Sequence, residues 1–298
     1  MPDRPLPAAL AAAVVRFADA RRADHRPTPC GVAGLSVVRA RAPTPHEAVL
    51  YNPLVCLVLQ GRKESALGAD RVAFDAGAAV IVSLDVPTRA RVVEATPEVP
   101  YAALALRLDL GMIRALSHQI GLPEAEVGPD PARAIAAGDA DPALVDAMGR
   151  LFALDAAPQD RAVMAPLITR EIHYRLLRAP QGAMLRRLAR GDSHASRIHR
   201  VLAHIRDDCT APFAVPELAT RAGMSASSFH DHFRAVTGTT PLRYIKDMRL
   251  LEARERLQTS ADPVSTVAFA VGYESATQFS REYARKFGRP PRADRAAA

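Results

Sequence analysis

The last third of this 298-residue chain contains a pattern that occurs twice. Ala219, Gly223 and Met224 are matched 49 residues later by Ala268, Gly272 and Tyr273. Ser225, Phe229, Phe233, Gly238 and Pro241 are matched 50 residues later by Ser275, Phe279, Tyr283, Gly288 and Pro291. Eight matched positions related through one single-residue shift mark a duplicated structural unit. The C-terminal region must therefore hold two similar bodies side by side.

Each copy has the anatomy of a helix-turn-helix. In the first, Val215, Leu218, Ala219 and Ala222 fall on one face of a short helix. Gly223 ends that helix, because the residue just past a helix often takes a left-handed backbone that glycine adopts without a side-chain clash. Ser225 is a suitable cap for the next helix, whose Phe229 and Phe233 lie four apart and face a core. In the second copy Asp262-Pro263 opens the first helix, Val264, Val267, Ala268 and Val271 line it, and Gly272 breaks it. Ser275 and Gln278 then form the capping-box pattern S-x-x-Q ahead of Phe279 and Tyr283. A helix beginning at Thr240-Pro241 and running to about Gln258 joins the copies and spans on the order of 25 Å. With the bodies of the two motifs added, the second helices stand near one DNA turn apart, roughly 34 Å.

With the aromatic residues buried, Ser227, His230, Asp231 and Arg234 form the outward face of the first recognition helix. The matching face of the second is Thr277, Ser280, Arg281 and Ala284, with Ala276 near the helix start. Arg281 has the chemistry for a bidentate contact to guanine. His230 can donate or accept at a base edge, and Ser227 and Thr277 sit where phosphate is equally within reach. Arg285 and Lys286 suit phosphate steering better than base reading. Asp231 either accepts from a cytosine amino group, orients a neighbouring arginine, or points away.

Charge agrees with a polyanionic partner. From Ser193 to Ala298 there are 16 Arg and Lys against 11 Asp and Glu, a net +5, leaving +2 of the total +7 for residues 1–192. Cys30, Cys56 and Cys209 are far apart with no C-x-x-C pair, which predicts reduced thiols in the cytoplasm. The apolar stretch Leu6–Val15 is too short to span a bilayer and reads as the start of an amphipathic helix through Arg16, Phe17 and Arg21-Arg22.

The first half has a different texture. From about Gly31 to Leu108, short apolar runs at Val55–Leu59, Ala79–Val82 and Tyr101–Leu108 alternate with Gly, Pro and Asp turns. This predicts a compact antiparallel sandwich or barrel. From about Gly111 to Ala189 apolar residues recur at helical spacing, and these helices either pack on the sheet or form a dimer seam. Pro142 and Pro166 fit early helical positions or breaks. Arg190-Gly191-Asp192-Ser193 reads as a linker.

The run from Phe269 to Ser275, then Gln278-Phe279-Ser-Arg281 and Lys286-Phe287-Gly-Arg-Pro-Pro291, resembles the signature of the AraC/XylS family of bacterial transcription regulators. The likeness covers about Ser196 to Arg292, with Glu217-Leu218-Ala219 and Met224-Ser225 matching the first motif. Two positions depart from the pattern: Asp294 stands where a Tyr is usual, and Asp231 where polar or basic contacts are common. The first half also resembles the N-terminal domain of a large subgroup of this family, through Tyr51-Asn-Pro53, Cys56–Lys63, Ser83-Leu-Asp85-Val-Pro87 and Pro100-Tyr101. That resemblance implies a cupin-like β-barrel used for effector sensing or dimerisation. The expected fold is therefore α+β, with a cupin-like barrel and flanking helices over residues 1–190 and an all-α double helix-turn-helix domain over 194–298.

A metal-binding cupin needs a His cluster with an acidic partner, but His25 and His46 stand alone in sequence, and His230-x-His232 on a helix points to two faces. No nucleophile elbow, phosphate loop or triad is present, so neither an enzyme nor a cofactor is expected. Candidate effector contacts are Cys56, either a reactive thiol or a small buried hydrophobe, and Ser83, Asp85 and Arg107, which either line a pocket or satisfy turns and the outer face. The expected partners are double-stranded DNA, a small apolar or carbonyl-bearing effector, a second copy of the chain, and RNA polymerase if the protein activates. The rival readings are a regulator whose barrel only dimerises, and a cupin-type enzyme fused to a DNA-binding module.

Overall fold

The apolar runs of the first half form strands that are buried on both faces. In the computed structural model, which describes residues 8–68, 70–121 and 133–295, ten strands make two antiparallel sheets. The larger sheet has the order β1 (Thr28–Pro29), β2 (Leu35–Ala40), β9 (Tyr101–Arg107), β4 (Leu54–Gln60), β7 (Ala78–Val82), β10 (Ile135–Asp139). The smaller has β3 (Glu47–Tyr51), β8 (Val86–Glu94), β5 (Arg62–Leu67), β6 (Asp70–Asp75). The two sheets face one another without being hydrogen-bonded into a closed cylinder.

Strand alternation sorts residues between two cores. Val55, Leu57 and Leu59 of β4 point to the helical layer, while Cys56 and Val58 point to the smaller sheet. Along β9, Leu104 and Leu106 join the helical side, and Tyr101 and Ala103 join the inter-sheet side. Burial on both faces is why these segments read as continuous apolar runs.

The helical layer consists of α1 (Ala8–Ala20), α2 (Leu110–Ile120), α3 (Pro142–Ala153) and α4 (Pro158–Arg178). It packs on the larger sheet, the first of the two expected arrangements. Two details differ from expectation. β10 interrupts the segment expected to be helical, pairing with β7 at the sheet edge; its sequence Ile-Ala-Ala-Gly-Asp has one large apolar residue and carries no periodic signal. Pro142 opens α3, but Pro166 lies inside α4, which runs on without a break.

After α5 (Ala183–Ala189), the segment Arg190–Ser193 leads to α6 (His194–Asp207), and the Ser193 hydroxyl accepts from the Ser196 amide. There follow α7 (Val215–Arg221), α8 (Ala226–Thr237), α9 (Pro241–Thr259), α10 (Val264–Ala270), α11 (Ala276–Phe287) and α12 (Pro291–Arg295). The pairs α7/α8 and α10/α11 are the two helix-turn-helix units, and α9 is the spacer, about 28 Å long for its 19 residues. Gly223 and Gly272, at the equivalent turns, have φ of +62° and +81°, a backbone that L side chains rarely adopt.

The two units sit differently. Phe229 and Phe233 of the first belong to the core that continues through Tyr244 and Ile198 into the inter-sheet space. Phe279 and Tyr283 of the second belong to a smaller core formed with α9 and α10. The first unit is also held at its edge. The turn at Gly68 meets the helix-ending Gly238 so closely that a Cβ on Gly68 would lie 2.1 Å from the Gly238 carbonyl oxygen. Beside it the Ala134 amide donates to Val236 O at 3.2 Å.

Candidate nucleic-acid interface and adjoining cavity

Ser225 and Ser275 cap α8 and α11, their hydroxyls accepting from the Ser228 and Gln278 amides at 3.3 Å. The expected box at the second helix is half made: the Gln278 side chain donates to Glu282 at 3.2 Å instead of reaching back. Phe229, Phe233, Phe279 and Tyr283 are fully buried, which turns the intervening positions outward. Ser227, His230, Asp231 and Arg234 are exposed on α8; Thr277, Arg281 and Arg285 are exposed on α11, with Ala276 and Ser280 half-buried. The Ser280 hydroxyl donates to the Ala276 carbonyl at 2.9 Å.

Arg281 and Arg285 make no hydrogen bond or ion pair with any described residue, so both guanidinium groups are free to meet an anion. Lys286 differs. Its ammonium is held by Asp247 of α9 and half-buried, so it braces α11 on the spacer, and the phosphate-steering role expected for it is not open to it in this arrangement. Asp231 and Arg234 line a shallow depression with Asp70 and Arg133, which pair with each other at 3.3 Å. His232 faces away from His230 and stacks on His194 at 4.0 Å.

The second recognition helix is anchored by two buried carboxylates. Asp294, 2% exposed, accepts from Tyr283 at 2.7 Å and from Arg254 at 2.9 Å. The departure from the usual residue here thus carries its own partners. Glu282 accepts from Lys246 at 3.0 Å, Tyr273 at 2.9 Å and Gln278. Burial pushes the Glu282 carboxyl up, but these three hydrogen bonds outweigh it and hold the group below its ordinary 4.5. A folded-state pKa lowered in this way contributes stability above about pH 4.5 and loses it as pH falls through the lower folded value. Glu282→Gln is expected to melt below wild type at neutral pH, with the gap closing under acid; a gap constant with pH in a Tm series would refute the assignment.

A cavity of about 800 Å³ opens between the two sheets and extends to the DNA-binding helices. Cys56 and Arg107 line it, together with Arg206, Cys209, Met248 and Leu251 of α6 and α9 and the segments next to them. Ser83 and Asp85 are not among its lining residues. Both are buried; the Ser83 amide donates to Ala134 O at 2.8 Å, and Asp85, 1% exposed, lies at the seam between the β domain and the helices, where it takes the Arg206 guanidinium on both oxygens at 3.1 and 3.0 Å. The Asp85 carbonyl accepts from the buried Tyr244 hydroxyl at 2.9 Å. Burial raises the Cys56 thiol, which keeps it protonated at neutral pH. Sequence reasoning passed over Lys63, which lines the same cavity; the signal was its place two residues before Ser65 and four before Leu67, on the inward face of β5. His25 pairs with Glu47 at 3.1 Å, and no group of three or more metal-ligating side chains occurs among the described residues. Among them, too, no helix is long and apolar enough to cross a membrane.

A two-sheet domain joined to paired helix-turn-helix units defines the class of two-domain DNA-binding regulators. The chain belongs to the AraC-type transcriptional regulators: the model of the AraC-type regulator N-terminus matches residues 31–184, and a helix-turn-helix domain model matches 218–297. It is similar to the HTH-type transcriptional activator RhaS of Yersinia pestis (strain Pestoides F), with 31% identity over 102 residues, 34% of this chain and 37% of that protein. The RhaS of Escherichia fergusonii is 32% identical over 106 residues, 35% of this chain and 38% of its own. The match thus spans little more than a third of these relatives' length. In fold the chain is similar to unsaturated fatty acid-bound ToxT from Vibrio cholerae strain SCE256, with a TM-score of 0.59 at 9% identity, covering 87% of this chain and 92% of that one. The family is one of transcription regulators, not an enzyme class.

Proposed function

We propose that this protein is a sequence-specific, cytoplasmic DNA-binding transcription regulator that acts without catalysis and answers to a small effector received by its N-terminal domain. The observation that carries the DNA reading is the repeated recognition helix, each copy with its aromatic face buried and its polar face exposed. Contacts are assigned to Ser227, His230, Asp231 and Arg234 on α8 and to Ala276, Thr277, Ser280, Arg281 and Arg285 on α11. The division of labour falls between residues 1–190 and 194–298. The effector reading is supported by the size of the cavity and by α6 and α9 forming part of its wall, with Cys56 and Arg107 as contacts. Asp85 serves the seam instead, and Ser83 is buried outside the cavity lining.

A homodimer suits paired DNA sites, and Val163, Met164 and Leu167 on α4 leave apolar surface for it. RNA polymerase is a partner if the protein activates. The test is duplex binding by fluorescence anisotropy across a salt series, with the protected site mapped. Affinity should fall steeply with salt. Arg281→Ala should weaken specific binding by about 1–3 kcal/mol and relax preference at one base pair. Salt-insensitive binding, or an Arg281→Ala variant with unchanged affinity and preference, would count against the interface.

A further inference from the structure

The cavity contains a cation that makes no direct ion pair with a described residue. On β5, Arg62 and Lys63 are adjacent but face opposite ways. Arg62 on the outer face has Glu64, Asp75 and Glu94 within 4 Å. Lys63, in line with the buried Ser65 and Leu67, faces the space between the sheets and makes no ion pair with any described residue. Its ammonium lies 5.5 Å from the centroid of the Tyr51 ring, beside the buried Tyr51 hydroxyl, which has no polar neighbour other than Lys63 itself to satisfy it. The neighbouring Cys56 and Tyr101 are neutral at physiological pH, since burial raises both. Glu47, which lines the same cavity, lies beyond contact with Lys63 and is hydrogen-bonded to His25 at 3.1 Å. Burial works against the charge on Lys63, yet its surroundings, the Tyr51 hydroxyl first and the Glu47 carboxylate with it, hold the group above the ordinary lysine value, so it stays an ammonium. An enclosed cation is destabilising unless an anion held by hydrogen bonds completes the pair.

We propose that Lys63 and the Tyr51 hydroxyl form the polar end of the cavity and receive the carboxylate of an otherwise apolar monoanionic effector. One ammonium and one hydroxyl match one carboxylate, with a charge-assisted hydrogen bond to each oxygen. The wall also carries the apolar Val38, Leu54, Phe74 and Val92, with Glu47 and Arg91 among them, and it continues to Met248 and Leu251 of α9. A molecule anchored at Lys63 therefore lies along a path to the helix that spaces the two recognition helices. This inference rests on the effector reading above and specifies the ligand's chemistry.

The test uses the full-length protein, straight-chain carboxylates from butyrate to oleate, aryl carboxylates from benzoate to 4-phenylbutyrate, and the primary alcohol matching each. Binding is read by calorimetry and thermal shift on wild type, Lys63→Met and, as an outer-face control, Arg62→Met. At least one carboxylate should bind wild type tenfold or more tighter than its alcohol. Lys63→Met should erase that preference and Arg62→Met should keep it. Without ligand, Lys63→Met should melt at or above wild type, because it removes an uncompensated charge; a drop of several degrees would mark Lys63 as a structural cation and overturn the proposal. Equal binding of acids and alcohols by wild type overturns the role of Lys63 while leaving an effector cavity in place. Failure of every probe to bind or to alter DNA affinity overturns both.

Discussion

Phe279→Ala is expected to unfold the second helix-turn-helix unit while the first stays folded. Phe279 is fully buried, with the Tyr273 ring edge-on at 5.3 Å and the Tyr283 ring tilted at 5.5 Å. Removing a buried phenyl ring costs about 3–5 kcal/mol, through lost transfer energy and the cavity left behind. The core that must absorb this loss is small, made by α9, α10 and α11 with few large side chains beyond the aromatic cluster. Phe229, its counterpart fifty residues earlier, sits in a core continuous with the β domain and has far more surroundings to hold it. Hydrogen exchange should show α10 and α11 losing protection while α8 keeps it, and footprinting should shrink to one half-site. Equal loss across both units would refute the asymmetry.

The second large effect is expected at the seam. Arg206→Ala leaves the Asp85 carboxylate, 1% exposed, without its cation. An orphaned buried charge costs several kcal/mol; the Arg206 side chain is itself 45% exposed, so water can partly replace it, and about 2–4 kcal/mol is expected. The reciprocal Asp85→Ala frees a guanidinium that water already reaches, and should cost about 1 kcal/mol. The order is the test: denaturant unfolding should rank Arg206→Ala below Asp85→Ala. If the seam also transmits effector occupancy, Arg206→Ala should alter DNA affinity although Arg206 lies on α6, outside both recognition helices. The reverse ranking would mean that the pair is a surface contact and that the Tyr244 hydroxyl on the Asp85 carbonyl carries the seam.

Much of the DNA-binding half was legible because its determinants are local. The caps Ser225 and Ser275, the turns at Gly223 and Gly272 and the aromatic pairs four apart all act within a few residues, and the chain states each of them twice. The outward faces followed by elimination from the buried ones. Lys286 was misjudged because its partner Asp247 is 39 residues away, on the spacer helix. The short strand β10 was missed because an edge strand needs little hydrophobicity of its own when β7 supplies the ladder. Pro166 proved compatible with a helix interior, which local propensity disfavours and surrounding packing overrode.

By itself, the sequence determined the two-part architecture, the duplicated unit and the side chains each recognition helix turns outward, because periodicity, capping and turn chemistry operate over short stretches of chain. Only the tertiary structure decided which cores those units join, that Asp85 meets Arg206 across 121 residues, and that Lys63 faces a cavity while Arg62 beside it faces solvent and its carboxylates. These are long-range matters. A residue's partner, and the medium around a charge, depend on which distant surfaces are pressed together, and no local pattern carries that information.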